Sequence, residues 1–478
     1  MTDEDITASN PRSRWIALVV LCTGMLMIIL DQTIVNVALP AIQADLGFTQ
    51  AGLAWVINAY LIAFGGLLLL AGRLGDLIGR KRVFLIGLTA FTLASLLCGA
   101  SGTPEMLVIA RFIQGVGGAM ATAVTLGMIV TMFPKPAEQA RAIGVFSFVA
   151  AAGASIGLLT GGVLTQALNW HWIFLVNLPI GIAALALATR VIENDRGIGL
   201  REGADILGAV LVTGALMLGV YTIISGTLYL GAVSVALLIG FLVRQASAEK
   251  PLLPLRIFES RNVSGANAIQ VLMIAGMFGM FFLGTLYMQL VLGYDALQIG
   301  LAFLPVAVAI GSLSVGFSAR LAGLFGERKV LLAGLTLIFA GLVLFTRTPV
   351  DADYLTDLLP SMLLMGVGAG FTFPMLMTLA MSGATQSDAG LASGLVNTTA
   401  QVGGALGLAV LATLSTTRTN SLAAAGESVP QALTTGFHLA FGIGAALVLL
   451  AIALAATVLR PAAPAGVPAE EPELELVG

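Results

Sequence analysis

The chain has 478 residues, 58% of them hydrophobic and only 10% charged, against about 25% charged in soluble domains. This composition excludes a water-soluble enzyme and a nucleic-acid-binding protein and describes a polytopic, all-α membrane protein. The net charge of −3 says little about partners, because seven acids (Asp3, Glu4, Asp5, Glu470, Glu471, Glu473 and Glu475) sit in the two tails.

Apolar runs near the ~20 residues that cross a bilayer predict about fourteen helices. The first spans 15–40. It is too long for a signal peptide and leads into Asp31 rather than a small-residue cleavage site. Asp31 stands in Leu30-Asp31-Gln32-Thr33-Ile34-Val35-Asn36-Val37-Ala38-Leu39-Pro40. At 1.5 Å per residue it lies about 13 Å below Pro40. A central acid costs about 2.5–3.5 kcal/mol to insert, so Asp31 needs a partner or an aqueous cavity.

The second helix, 50–71, carries Asn58, and a charged stretch, 71–83, separates it from the third, 83–101. Gly72, Arg73, Gly75, Asp76, Gly79, Arg80, Lys81 and Arg82 crowd this stretch, which predicts a tight cytoplasmic turn with Asp76 paired to a neighbouring cation or capping a helix. A bare topology anchor is the alternative for Arg80-Lys81-Arg82.

The fourth helix, 105–132, carries Arg111 about 9 Å below its outer end. Arg111 and Asp31 thus fall at similar depth and are expected to face each other across an N-terminal cavity; a static ion pair is the alternative. Gln114 shares the face of Arg111, and Gly115, Ala119 and Ala123 form a small-residue ridge. The fifth helix, 138–166, has a second ridge at Gly153, Gly157 and Gly161.

A sixth helix at 171–190 is followed by two, 205–224 and 228–246, joined by four residues that suit a tight hairpin. The loop 247–262 then leads to helices at 263–290, 297–319, 330–346, 355–381, 390–413 and 434–459. Intramembrane polar residues (Asn36, Asn58, Gln270, Gln289, Asn397, Gln401) and Met- and Phe-rich runs (Met273–Phe282, with Met277 and Phe281; Phe371–Met377, with Phe373) are candidates for an adaptable apolar binding surface. Interhelical bonding and core packing are the alternatives. Cys22 and Cys98, His171 and His438 form no disulfide framework and no metal site, and no constellation supports catalysis or nucleotide binding.

A degenerate copy of the charged stretch, Arg320-Leu321-Ala322-Gly323-Leu324-Phe325-Gly326-Glu327-Arg328-Lys329-Val330, lies 247 residues downstream, and Leu46-Gly47-Phe48 and Leu292-Gly293-Tyr294 repeat at a similar offset. Two repeating halves suit a transporter that rocks about a central site. With 71–83 inside, nineteen of the 22 Lys and Arg residues are cytoplasmic. Both termini are then inside.

These residues resemble the fourteen-helix drug:proton antiporter branch of the major facilitator superfamily, over about Trp15 to Arg460. Leu30–Pro40 resembles that branch's first-helix signature, Gly72–Arg82 the helix 2–3 loop motif, Arg111–Ala119 the fourth-helix motif tied to proton coupling, and Gly153–Gly162 the fifth-helix antiporter motif. Two positions depart from the pattern: Leu158 replaces the usual proline, and Ala400 a frequent basic residue.

The resemblance implies a major facilitator fold with two pseudo-symmetric six-helix bundles and two extra central helices. Its parts are a cytoplasmic tail 1–14, bundles 15–190 and 263–460, two inserted helices with a linker in 191–262, and a disordered acidic tail 461–478. It further implies export of hydrophobic, often cationic compounds in exchange for protons across a bacterial plasma membrane, by a monomer without cofactor or metal. Asp31 and Arg111 would couple protons. The 71–83 turn would latch the bundles. Gly153, Gly157, Gly161 and Gly162 would pack helices. Asn36, Asn58, Gln114, Met277, Phe281, Gln289, Phe373, Asn397 and Gln401 would line the substrate cavity. A dedicated exporter of one antibiotic or metabolite and a non-transporting membrane sensor are the alternative readings.

Overall fold

A computed structural model describes residues 11–195, 197–199, 201, 203–382 and 389–459. Residues 1–10 of the tail expected at 1–14, the tail expected at 461–478, Arg196, Arg460 and most of the 382–389 loop lie outside the described residues, and residues 11–14 begin the first helix.

The secondary structure is helical throughout the described residues. The first half contains α1 (Pro11–Leu46), α2 (Gln50–Ile78), α3 (Arg80–Gly99), α4 (Pro104–Met132), α5 (Pro136–Ala167), and a rod split into α6 (Trp172–Leu175) and α7 (Asn177–Val191). The hairpin α8 (Ile206–Ser225) and α9 (Leu228–Ser247) follows. The second half contains α10 (Arg261–Leu290), α11 (Ala296–Ser312) running through a π-turn into α12 (Ser318–Phe325), and α13 (Glu327–Phe345). It ends with α14 (Leu359–Ser382), opened by another π-turn, α15 (Ala389–Ala424) and α16 (Val429–Thr457). Among the described residues, 12 helices are long and apolar enough to span a membrane. The α5 rod and the α11–α12 rod complete fourteen.

Several boundaries differ from the sequence expectation. Pro40 sits inside α1, which runs on to Leu46 and stops at Gly47, where φ is 72°. The tight turn expected over 71–83 is confined to one residue: α2 ends at Ile78, α3 starts at Arg80, and Gly79 alone turns the chain, at φ 99°. Helix bonds satisfy the backbone internally, so α2 can carry its charges past the bilayer without unravelling. A side chain at Gly79 would be strained and would meet the Asp195 carbonyl at 2.7 Å.

The internal repeat is visible in the backbone. Gly79 corresponds to Gly326 (φ 84°) and Gly47 to Gly293 (φ 73°). It extends to side-chain chemistry. Lys81 Nζ donates to the Thr189 carbonyl near the end of α7 at 3.1 Å. Its counterpart Arg328 donates to the Ala455 and Ala456 carbonyls near the end of α16. Each cation meets the negative end of a helix dipole.

Glycines set the close helix approaches. Gly157 of α5 lies against Thr33 and the Leu30 carbonyl of α1, and Gly117 of α4 against the Phe91 backbone of α3. The halves meet where Gly162 of α5 abuts Ala296 and Leu297 of α11, and where Gly65 of α2 abuts Gln401 of α15.

The α8–α9 hairpin lies outside this core. Gly66 of α2 packs on Thr213 of α8, and α9 buries only Phe241 and Gln245. Its inner end is clamped by Asp205, which caps α8 through Gly208 N (2.9 Å) and accepts from Arg244 Nε (3.0 Å) and Gln245 Nε2 (2.8 Å). Burial alone would raise the Asp205 carboxyl, but the bonds from Gly208, Gln245 and Arg244, with the guanidinium charge, outweigh it and hold the group below an aspartate's ordinary 3.8. A depressed folded pKa gives stability that is present above the unfolded value and lost as pH falls through the folded one. Asp205→Asn is therefore expected to lower the melting temperature at neutral pH, with the gap to the parent closing below about pH 4. A gap independent of pH, read by thermal unfolding in detergent, refutes this.

Candidate functional site

Four helical rods build a polar nest in the otherwise apolar first bundle. α1 supplies Asp31, α3 supplies Ser95 and Cys98, α4 supplies Arg111 and Gln114, and the α6–α7 rod supplies Asn177. All six residues are at most 1% exposed.

Arg111 Nη1 donates to Asp31 Oδ2 at 2.5 Å and to Gln114 Oε1 at 2.7 Å, and its Nε donates to the Val56 carbonyl of α2 at 2.9 Å. Asp31 Oδ1 accepts from Gln114 Nε2 (2.7 Å) and Asn177 Nδ2 (3.2 Å). Gln114 also donates to Ser95 Oγ at 2.8 Å and faces Cys98 Sγ at 3.5 Å. The guanidinium lies 4.4 Å from the Tyr60 ring centre and 5.7 Å from that of Phe174, so aromatic faces share in holding its charge. Both carboxylate oxygens are occupied and the cation is bonded on two sides, as a buried ion pair requires to offset its desolvation.

The placement differs from the expected one. Asp31 and Arg111 touch instead of facing each other across a cavity, because Gly115 and Gly118 of α4 let Tyr60 of α2 fill the space beside them. A side chain at Gly115 would meet the Tyr60 carbonyl at 2.5 Å, and one at Gly118 the Tyr60 hydroxyl at 2.8 Å. Gln114, expected in the substrate cavity, belongs to this nest.

The 71–83 stretch forms a second cluster. Asp76 pairs with Arg80 at 3.5 Å, and both are partly exposed. Arg80 Nη1 donates to the Gly127 carbonyl of α4 at 3.2 Å, and Gly75 lies against Val124 of α4. The amides of Arg80 and Lys81 donate to Asp195 at 2.5 and 3.1 Å, capping α3 from the segment that follows α7. The amides of Ile198 and Gly199 donate to the Asp76 and Leu77 carbonyls at the end of α2. Arg73 Nε donates to the Gly203 carbonyl, Gly72 has open space beside it, and Arg82 is exposed. These contacts stay within the first half and the segment leading to α8.

Along α5, Gly153, Gly157 and Gly161 lie against α1 at Leu26 and Ile29, at Leu30 and Thr33, and at Ile34, while Gly162 faces α11. The glycine ridge thus packs on the turns of α1 that carry Asp31.

The remaining cavity candidates lie on α1, α2, α10, α14 and α15. Asn36 donates back to the carbonyls of Gln32 and Thr33, and Asn58 is fully buried in α2 with neither side-chain polar atom bonded. Met277 is buried and Phe281 stacks on Phe303 at 5.4 Å. Gln289, Phe373 and Gln401 are half-buried, and Asn397 is exposed. A cavity of about 430 Å³ lies elsewhere, at the inner ends of α8 and α9, lined by residues including Arg201, Asp205 and Arg244.

The expectation from sequence missed Tyr60, Ser95, Cys98, Asn177, Asp195 and Asp205. Asn177 carried a signal, a polar side chain inside the sixth apolar run. Asp195 and Asp205 carried none, because acids in a linker look solvated.

The sequence profile of the Major Facilitator Superfamily matches residues 21–408. The chain belongs to this superfamily. It is a multi-pass membrane transporter and not an enzyme. Among superfamily members similar to it, the puromycin resistance protein of Streptomyces alboniger is 38% identical over 466 residues, 94% of this chain and 92% of that protein. The cephamycin export protein of Amycolatopsis lactamdurans is 38% identical over 460 residues, with the same coverage. The methylenomycin A resistance protein of Bacillus subtilis is 33% identical over 405 residues, 82% of this chain and 86% of that protein. Among solved structures, the inward-facing, unoccupied bacterial homologue of the human lysosomal transporter Spinster has a TM-score of 0.67 at 14% identity, covering 95% of this chain and 100% of that one. The nucleoside transporter NupG has a TM-score of 0.65 at 12% identity, covering 92% and 99%. At such identities the structural likeness speaks for the major facilitator fold alone.

Proposed function

We propose that this superfamily member exports hydrophobic, cationic antibiotics or related toxic compounds in exchange for protons. The observation that carries this reading is the buried Asp31–Arg111 pair, a titratable carboxylate held between helices of a transporter. An intramembrane acid of this kind marks an ion or proton pathway. Resistance and export proteins among the relatives support antibiotics as the exported compounds.

The nest makes the exchange indirect in this conformation. Both oxygens of Asp31 are bonded and the carboxylate is fully buried, so in this conformation a substrate cation does not share it. A proton on Asp31 removes the charge that holds Arg111, Gln114 and Asn177 together. Helices α1, α4 and α7 are then freed to shift along the α1–α5 glycine seam.

A second reading is favoured by a specific observation: each relative described above is named for one antibiotic. This supports a dedicated exporter using the same machinery. The test is uptake of a fluorescent lipophilic cation into everted vesicles with an acid interior. Uptake that collapses with a protonophore is expected. Competition by many compounds supports broad export, and one strong competitor supports the dedicated reading. No gradient-driven uptake of any compound in a wide panel, antibiotics included, refutes both.

A further inference from the structure

The cavity of about 430 Å³ at the inner ends of α8 and α9 takes no part in the exchange of protons for substrate. Its volume lies within the roughly 300–1,000 Å³ of small-molecule sites. The polar side chains that line it are Arg201, Asp205, Arg244, Ser247, Glu249 and Lys250. Cations therefore outnumber acids in the lining.

The acids are unequal. Asp205 is buried and fully engaged: Oδ1 accepts from Gly208 N and Arg244 Nε, and Oδ2 from Gln245 Nε2. Glu249 is exposed. Arg244 gives only Nε to Asp205. Its side chain is 43% exposed, and Nη1 and Nη2 make no hydrogen bond among the described residues. Arg201 is exposed and has no hydrogen bond or ion pair among the described residues. A further cation stands behind this wall: Arg73 of α2 donates to the carbonyl of Gly203, which also lines the cavity. A guanidinium held by Nε, with its two outer nitrogens left over, presents a fork that matches a phosphate.

The surface beside the cavity is apolar. Ile206, Leu207 and Val210 at the start of α8 are exposed, as are Ile239, Leu242 and Val243 near the end of α9. Ile206 follows Asp205 in the chain, and Val243 precedes Arg244, so the apolar strips begin where the charged wall stops. A free phosphate uses the cavity alone. A molecule with an anionic head and acyl chains uses both surfaces. The Lys and Arg bias puts this end of the hairpin at the cytoplasmic face, where anionic lipids offer their phosphates to basic pockets between helices.

We propose that the inner end of the α8–α9 hairpin binds an anionic phospholipid. Arg201, Arg244 and Lys250 hold its phosphate, and its acyl chains lie on the exposed strips of α8 and α9. The Asp205 clamp fixes the plane of the Arg244 guanidinium and leaves its outer nitrogens for the lipid. The site shares no residue with the Asp31 nest, and its test reads lipid binding and not transport.

Purified full-length protein in dodecyl maltoside is mixed with equal amounts of phosphatidylglycerol and phosphatidylcholine of the same acyl chains, and the lipid retained is counted by native mass spectrometry. The parent is expected to retain one phosphatidylglycerol, preferred roughly tenfold over phosphatidylcholine. Arg201→Ala with Lys250→Ala removes two exposed cations, leaves the Asp205 clamp intact and is expected to cut the preference to about twofold. Arg244→Lys, which keeps a charge opposite Asp205 and loses the fork, is expected to weaken it also and carries the test if the double variant does not fold. Lys135→Ala with Lys329→Ala, which removes two exposed cations elsewhere on the inner side, is expected to keep it. Equal retention of the two lipids by the parent overturns the proposal. So does a preference that survives both cavity variants, or one that falls as far in the Lys135 and Lys329 control. Displacement of phosphatidylglycerol by millimolar inorganic phosphate makes the cavity a free-phosphate site and overturns the lipid as its occupant.

Discussion

Asp31→Asn is expected to abolish gradient-driven uptake in everted vesicles, bringing it to the level of vesicles without the protein. The amide keeps the size of the side chain and an oxygen for Arg111, but its NH2 then faces the donors of Gln114 and Asn177, so the Asn177 amide must turn its unpartnered oxygen toward it. It loses the charge and the proton. The weakened bonds cost about 1.5–3 kcal/mol of stability, a shift in melting temperature and not a failure to fold. Exchange of substrate down its own gradient should persist, because the helices still move. Retained proton-driven uptake in a folded Asp31→Asn protein places the coupling group elsewhere. Loss of both gradient-driven uptake and passive exchange assigns Asp31 to structure alone.

Arg111→Ala should be the more damaging change to the fold. It leaves a fully buried carboxylate without its cation, empties the space between Tyr60 and Phe174, and removes the donor to the Val56 carbonyl. Breaking a buried pair from one side costs about 3–5 kcal/mol. Much of that cost is the uncompensated charge, so Arg111→Ala should cost less in an Asp31→Asn background. A double-mutant cycle read by thermal or denaturant unfolding should give a coupling of about 1–3 kcal/mol. Additive costs would mean that Asp31 and Arg111 do not support each other. The cycle separates the charge pair from packing, because the lost volume is the same in both backgrounds.

Much of the fold was legible because bilayer physics is written in long apolar runs. Twenty-residue runs and the repeated glycines predict the number of rods and the repeat between the halves. The turn at 71–83 shows where that reading stops. Charge and glycine content predicted a tight turn spread over the stretch. The structure keeps all but Gly79 helical, since a helix leaving the bilayer needs no loop to carry its charges.

The site divides in the same way. Asp31, Arg111 and Gln114 stand out in sequence because acids, guanidinium groups and amides are rare inside a membrane helix and must find partners. Which partners they find is a matter of approach between helices far apart in the chain. Asn177 reaches Asp31 only because the sixth rod packs against α1, and Tyr60 closes on the nest only because α4 presents glycines to it. Asp195 caps α3 across more than a hundred residues, and Asp205 is buried only once Arg244 and Gln245 arrive. The sequence by itself therefore determined the class, the topology and the charged pair. The tertiary structure decided that the pair is in contact, that it is fully buried, and that Gln114 and Asn177 complete its bonding. The physical reason is that insertion energies act residue by residue along the chain, whereas desolvation and hydrogen bonding are fixed only when separate helices pack.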